Sequence, residues 1–181
     1  NEGETAYASC VACHGQAGEG SAALSAPQLS GQHKSYLIEQ LIGFREGKRG
    51  THPEDTHGNI MRSSAQNLSN DTIEALSTYL AALSPQEHTS MVKGDAQRGA
   101  LLYRQNCSDC HGDNAQGVST IHAPNLVVLQ DWYIRQQINS YLTGWRGHEA
   151  ASTRAKSMRS MAVQLSNKQE LEDVIAWLES L

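Results

Sequence analysis

All four cysteines of this 181-residue chain fall in two Cys-x-x-Cys-His stretches, Cys10-Val-Ala-Cys13-His14 and Cys107-Ser-Asp-Cys110-His111. Two thiols at this spacing can add to the two vinyl groups of one porphyrin, and the adjoining imidazole can then bind its iron. The motifs therefore predict two covalently attached haems c, anchored by Cys10 with Cys13 and by Cys107 with Cys110, with His14 and His111 as proximal iron ligands. A redox dithiol or half of a zinc site would account for one such motif, but not for two that use every cysteine. A disulfide within either motif would close a tiny loop and staple nothing distant.

The sixth ligand decides the chemistry. A haem closed by a second protein ligand mainly exchanges electrons, whereas an open one binds oxygen or peroxide. Met61 and Met158 stand at the same distance after their motifs, in Met61-Arg62-Ser63-Ser64-Ala65 and Met158-Arg159-Ser160-Met161-Ala162, both read as polar loops. A thioether is a soft donor that favours ferrous iron and raises the reduction potential. Met161 is the alternative to Met158; it aligns with Ser64 and is read as a flexible apolar filler. The rival imidazoles are His33, His52, His57, His88, His122 and His148. None has a histidine at the matching position of the other motif's surroundings, so all six are read as exposed loop residues, His57 being the nearest competitor.

Two further pairs belong to the expected site. Pro27 and Pro124 each follow their motif histidine by thirteen residues. Their carbonyls are expected to accept the imidazole's second N–H, which fixes its orientation and basicity; the plainer reading is a loop start. Arg49 and Arg146 are read either as partners of haem propionates or as surface charges.

The elements that must hold these residues come in two copies. Subtracting 97 takes Cys107 to Cys10, Ala123-Pro124-Asn125-Leu126 to Ala26-Pro27-Gln28-Leu29, Tyr133-Ile134 to Tyr36-Leu37 and Arg146-Gly147 to Arg49-Gly50. One offset kept through separate landmarks indicates a duplicated domain. The spacing of Tyr36, Leu37, Gln40, Leu41 and Phe44 predicts a helix in each copy, as do Ile73 to Leu83 and Leu171 to Leu181. The last pair is offset by 98, which places a one-residue insertion near the N-cap stretches Ser69-Asn70 and Ser166-Asn167. Short helices, Gly3 to Tyr7 and Gly99 to Tyr103, lead into the motifs. No alternating pattern appears, so the class is all-α, with domains over 1–83 and 94–181 and a polar linker over 84–93.

Composition bounds the role. One Phe, three Trp and six Tyr are thin for two cores, a deficit that two porphyrin discs would mend. The formal charge of −5 argues against a nucleic-acid partner and suits steering towards basic patches. No apolar run approaches a membrane span. A signal peptide ahead of Asn1 is expected to have been removed.

With paired Cys-x-x-Cys-His, Ala-Pro-x-Leu and Met-x-x-x-Ala-x-x-Leu-Ser segments, the chain resembles the dihaem cytochrome c4 family over nearly its whole length. The resemblance implies two class I cytochrome c domains related by a pseudo-twofold axis, with propionate edges facing across their interface. It implies His14/Met61 and His111/Met158 ligation and proline carbonyl contacts at Pro27 and Pro124. It further implies a periplasmic protein, since haem attachment of this kind occurs outside the bacterial cytoplasm, that shuttles electrons from a quinol-oxidising complex or other donor to a terminal oxidase, with peripheral contact at the membrane surface. Similar subunits occur in flavocytochrome c enzymes; a dihaem peroxidase or thiosulfate dehydrogenase and a haem-based sensor are the remaining alternatives.

Overall fold

Helix starts in this chain are set by side chains that satisfy the free N–H groups of the first turn. Asp55 accepts from Gly58 N, Ser69 from Thr72 N, Asp95 from Gln97 N and Arg98 N, Ser152 from Ala155 N, and Asn167 from Glu170 N. The computed structural model describes residues 2–165 and 167–181, in which the helices are α1 (Glu2–Tyr7), α2 (Val11–His14), α3 (Lys34–Arg45), α4 (Thr56–Ala65) and α5 (Asn70–Ala82), then α6 (Ala96–Asn106), α7 (Ser108–His111), α8 (Asp131–Leu142), α9 (Thr153–Ala162) and α10 (Lys168–Leu178). Single 3₁₀ turns, Ala22–Leu24 and Ser119–Ile121, follow the two motifs. Among the described residues the only β pairing is the isolated bridges Ser21–Ala26 and Val118–Ala123. The fold is all-α, in two tandem domains of matching element order.

Each domain has its own core. In the first, α1 packs on α5 and α3 on both α4 and α5, burying Tyr7, Leu37, Leu76 and Leu80. In the second, α6 packs on α10 and α8 on α9, around Tyr103, Tyr133, Ile134, Val174 and Ile175. A glycine marks each first-to-last helix crossing. A Cβ at Gly3 would lie 2.3 Å from Ala75 O, and one at Gly99 would lie 1.8 Å from Asp173 O. Those backbones approach because no side chain stands between them.

The two copies differ where the offset changes. Cys10 N bonds Tyr7 O, three residues back, whereas Cys107 N bonds Tyr103 O, four back. The extra residue of the second copy lets α6 continue in α-helical register up to the motif. At the other end, the caps Ser69 and Asn167 differ by 98, so the second insertion sits at the helix start; Ser166 of that stretch lies outside the described residues. The last helices stop at Ala82 and Leu178, short of the expected Leu83 and Leu181.

Two expectations are corrected. Met61 and Met158 lie on α4 and α9, not in loops. The polar residues around them are the solvent faces of those helices: Ser63, Ser64 and Ser160 donate back to Asn59 O, Ile60 O and Lys156 O. The histidines are not simply exposed loop residues either. His52 stacks on Trp145 across the domain boundary, His33 Nε2 lies 2.7 Å from Gln116 O, His122 pairs with Glu39, and His57 meets Gln136. His88 reaches Glu179, and the Nε2 of His148 is buried.

Candidate haem sites

A single helical turn assembles each donor set. Cys10 caps α2 and Cys13 is its third residue; His14 N bonds Cys10 O at 2.9 Å, so thiols and imidazole lie along one turn. The turn of α7 repeats this, with His111 N bonding Cys107 O at 3.0 Å. No disulfide joins the four cysteines: Cys10 and Cys107 are half-buried, Cys13 and Cys110 exposed. Burial pushes the Cys107 thiol up to about 11 and raises Cys10 as well. Among the described residues, no cluster of three His, Cys, Asp or Glu side chains could hold a metal ion alone.

The imidazoles are buried and oriented. His14 is 5% exposed and His111 7%. The Nδ1 of His14 lies 2.9 Å from Pro27 O, and that of His111 lies 3.2 Å from Pro124 O. Burial lowers both imidazole pKa values, against the partial compensation of the carbonyl bond. Each ring is therefore neutral, with Nδ1–H committed and Nε2 left with a lone pair for a metal.

The loop after each motif is tied down to hold that contact. Gly20 N bonds His14 O and Gly117 N bonds His111 O. Both glycines have positive φ, +80° and +76°, and a Cβ at either would sit 2.6 Å from the proline carbonyl carbon. Tyr7 and Tyr103 each donate a phenol hydrogen at 2.7 Å, to Gly15 O and Gly112 O. Neither tyrosine role was legible in the sequence, although both residues end predicted helices at matching places.

Met61 and Met158 are half-buried on helices packed against α3 and α8, while Met161 is 39% exposed. Arg49 and Arg146 meet at the domain boundary. Arg49 donates to Gln40, Gln137 and the Tyr133 hydroxyl; Arg146 donates to Gln137 and Gln40. Each guanidinium also lies 4.5 Å from an aromatic ring, Phe44 or Tyr141. Arg146 is 5% exposed, so it is no surface charge. Burial would raise the Tyr133 phenol pKa, but the two guanidiniums bring it below its ordinary value. The two guanidiniums share neutral amide acceptors beside a cavity of about 200 Å³ that Lys48, Arg154 and one carboxylate, Glu39, also line, a setting whose positive excess favours anions.

This donor set fits a covalently held haem in each domain: adjacent thiols, a neutral imidazole with one free nitrogen, a half-buried methionine on α4 or α9, and the guanidiniums of Arg49 and Arg146, the latter buried. Comparison with known proteins agrees. The family model described as cytochrome c matches residues 1–84 and 96–181. Cytochrome c-552 of Acidithiobacillus ferridurans is 30% identical over 182 residues, covering 95% of this chain and 73% of that protein. A thiosulfate dehydrogenase electron acceptor of Thiomonas intermedia is 30% identical over 185 residues, covering 94% and 77%. The solved structure of Acidithiobacillus ferrooxidans cytochrome c4 superposes with a TM-score of 0.76 at 30% identity, covering 96% of this chain and 99% of that one.

Proposed function

The chain belongs to the cytochrome c family, as a two-domain, dihaem member of the cytochrome c4 type, and from that membership we propose that it is a periplasmic electron carrier with two His/Met-ligated haems. Units 1–83 and 94–181, joined by the linker 84–93, each hold one. Bound haem supplies an iron that takes up and releases one electron. The protein's residues do the rest. Cys10, Cys13, Cys107 and Cys110 fix each porphyrin, and His14 and His111 bind from the proximal side. Met61 and Met158 close the distal side and exclude small ligands. Pro27 and Pro124 hold the imidazoles in one orientation, and Arg49 and Arg146 neutralise propionates at the boundary.

The observation that carries this reading is the pair of buried imidazoles, each with Nδ1 held by a proline carbonyl. A matched methionine in both copies supports a carrier over an enzyme, since a closed iron transforms no substrate. No helix among the described residues is long and apolar enough to cross a membrane. The electrons are delivered to a terminal oxidase or reductase. The relative named as an electron acceptor of thiosulfate dehydrogenase favours such an enzyme as donor, as a second reading beside a quinol-oxidising complex.

The test is the optical spectrum of the oxidised holo-protein, then carbon monoxide added to the reduced form. The expected result is a methionine-to-iron charge-transfer band with intensity for two haems and no carbon monoxide binding. Met158→Ala should halve the band and open one haem, while Met161→Leu should change neither. Carbon monoxide binding to the unmodified protein would overturn the carrier reading.

A further inference from the structure

The proline carbonyls that hold His14 and His111 belong to peptide groups whose opposite ends reach into the other domain. The Pro27–Gln28 peptide accepts from His14 through its oxygen, and its N–H donates to Gln130 Oε1 at 3.0 Å. The Pro124–Asn125 peptide accepts from His111, and its N–H donates to Gln32 Oε1 at 2.8 Å. Gln32 and Gln130 are 2% and 5% exposed. Each is locked by its own amide donor: Gln32 Nε2 bonds Asn125 O and Gln130 Nε2 bonds Glu19 O, both at 2.9 Å. Each proximal imidazole is thus the end of a three-member hydrogen-bond chain that begins on a side chain of the opposite domain.

We propose that Gln130 and Gln32 are positioning residues that tune, across the domain boundary, the reduction potential of the other domain's haem. Gln130 acts on the His14 site and Gln32 on the His111 site. Donation by a peptide N–H shifts electron density onto its own carbonyl oxygen, so the oxygen becomes a stronger acceptor. Successive bonds in a buried chain strengthen one another in this way. A stronger pull on the Nδ1–H gives the imidazole more anionic character and makes Nε2 a better donor to ferric iron. Each cross-boundary glutamine therefore favours the oxidised state of the distant site. The two arms are not copies: at the repeat offset Gln130 aligns with His33 and Gln32 with Leu129, so different positions supply the same contact.

The inference rests on His14 and His111 as proximal ligands, not on which residue lies opposite, so the starting spectrum tests methionine ligation separately. Potentials of both haems are then measured with each haem's NMR signals assigned to its domain. Gln130→Leu should shift the oxidised-to-reduced balance of the His14 haem about threefold towards reduced, ~30 mV upward at 59 mV per tenfold for one electron, and leave the His111 haem in place. Gln32→Leu should do the reverse. Gln28→Ala removes the boundary bond from Gln28 Nε2 to Val128 O and the bond from Gln86 N to Gln28 Oε1 but keeps the peptide N–H, so it should move neither. By linkage, oxidation of the unmodified protein should slow amide exchange at Gln28 and Asn125 by the same factor, a readout that needs no variant. Equal shifts at both haems, a shift in Gln28→Ala, or exchange indifferent to oxidation state would each overturn the proposal.

Discussion

Gly20 and Gly117 stand against the proline peptides of the two sites. Their left-handed backbone lets the loop close over the Pro27 and Pro124 peptides, leaving no room for a methyl group. Gly117→Ala should cost about 2 kcal/mol of stability, from unfavourable φ and overpacking together. It should also pull Pro124 O away from His111 and raise the potential of that haem alone. Denaturant unfolding and voltammetry of the holo-protein would check both. The two attachment motifs were legible in the sequence because covalent attachment demands a fixed spacing. The residues behind them were less so: Gln32 and Gln130 have no counterparts in the repeat, and a lone glutamine carries no signal.

At the scale of elements, the same helix pair is fastened differently in the two copies. Between α3 and α5 the links are Lys34 with Glu74, an exposed pair of the kind worth little, and a hydrogen bond from Arg45 to Asn70 Oδ1 at 2.9 Å. Between α8 and α10, Arg135 bonds Glu172 through Nε at 2.7 Å and through a terminal nitrogen at 2.8 Å, and also bonds Asp131 at 2.6 Å. Arg135 and Asp131 further clasp the backbone of Met91, which pins the linker to the second domain. The Arg135 hydrogen bond holds Glu172 below the usual carboxylate range. At Asp131 burial pulls upward, but bonds from Arg135 and the Met91 N–H outweigh it. Both carboxylates therefore stabilise the fold fully above their unfolded values, about 3.9 and 4.3, and lose that contribution as pH falls through the lower folded values. Arg135→Ala should cost about 2 kcal/mol near neutrality, the scale of hydrogen bonds to charged groups. It should also flatten the acid dependence of stability, as measured by denaturant titrations at neutral and acid pH. Helix positions were readable from apolar spacing, but the loop reading of Met61 and Met158 failed. Serines that bond back along a helix look, in sequence, like serines in a loop.

For the whole molecule, the formal charge of −5 sets the sign and strength of its field, and salt sets its reach. Electron transfer with a basic partner should slow by about tenfold between low and high salt, as the Debye length falls from about 30 Å to about 3 Å. Stopped-flow rates across an ionic-strength series would check this; a rate indifferent to salt would mean that charge does not guide docking. The linker's shortness suggests contact between domains, but not its form. The boundary is made by buried amides at Gln28, Gln32 and Gln130, by the crossed guanidiniums of Arg49 and Arg146, and by His52 stacked on Trp145. What the sequence determined by itself was local or repeated: the attachment turns, the axial candidates, the helical class and the duplication. Each depends on spacing along one chain segment. Which residues of one domain reach the ligands of the other was decided only by tertiary structure, because those contacts join positions about a hundred residues apart, such as 28 with 130. No period in the chain encodes where the two copies will touch.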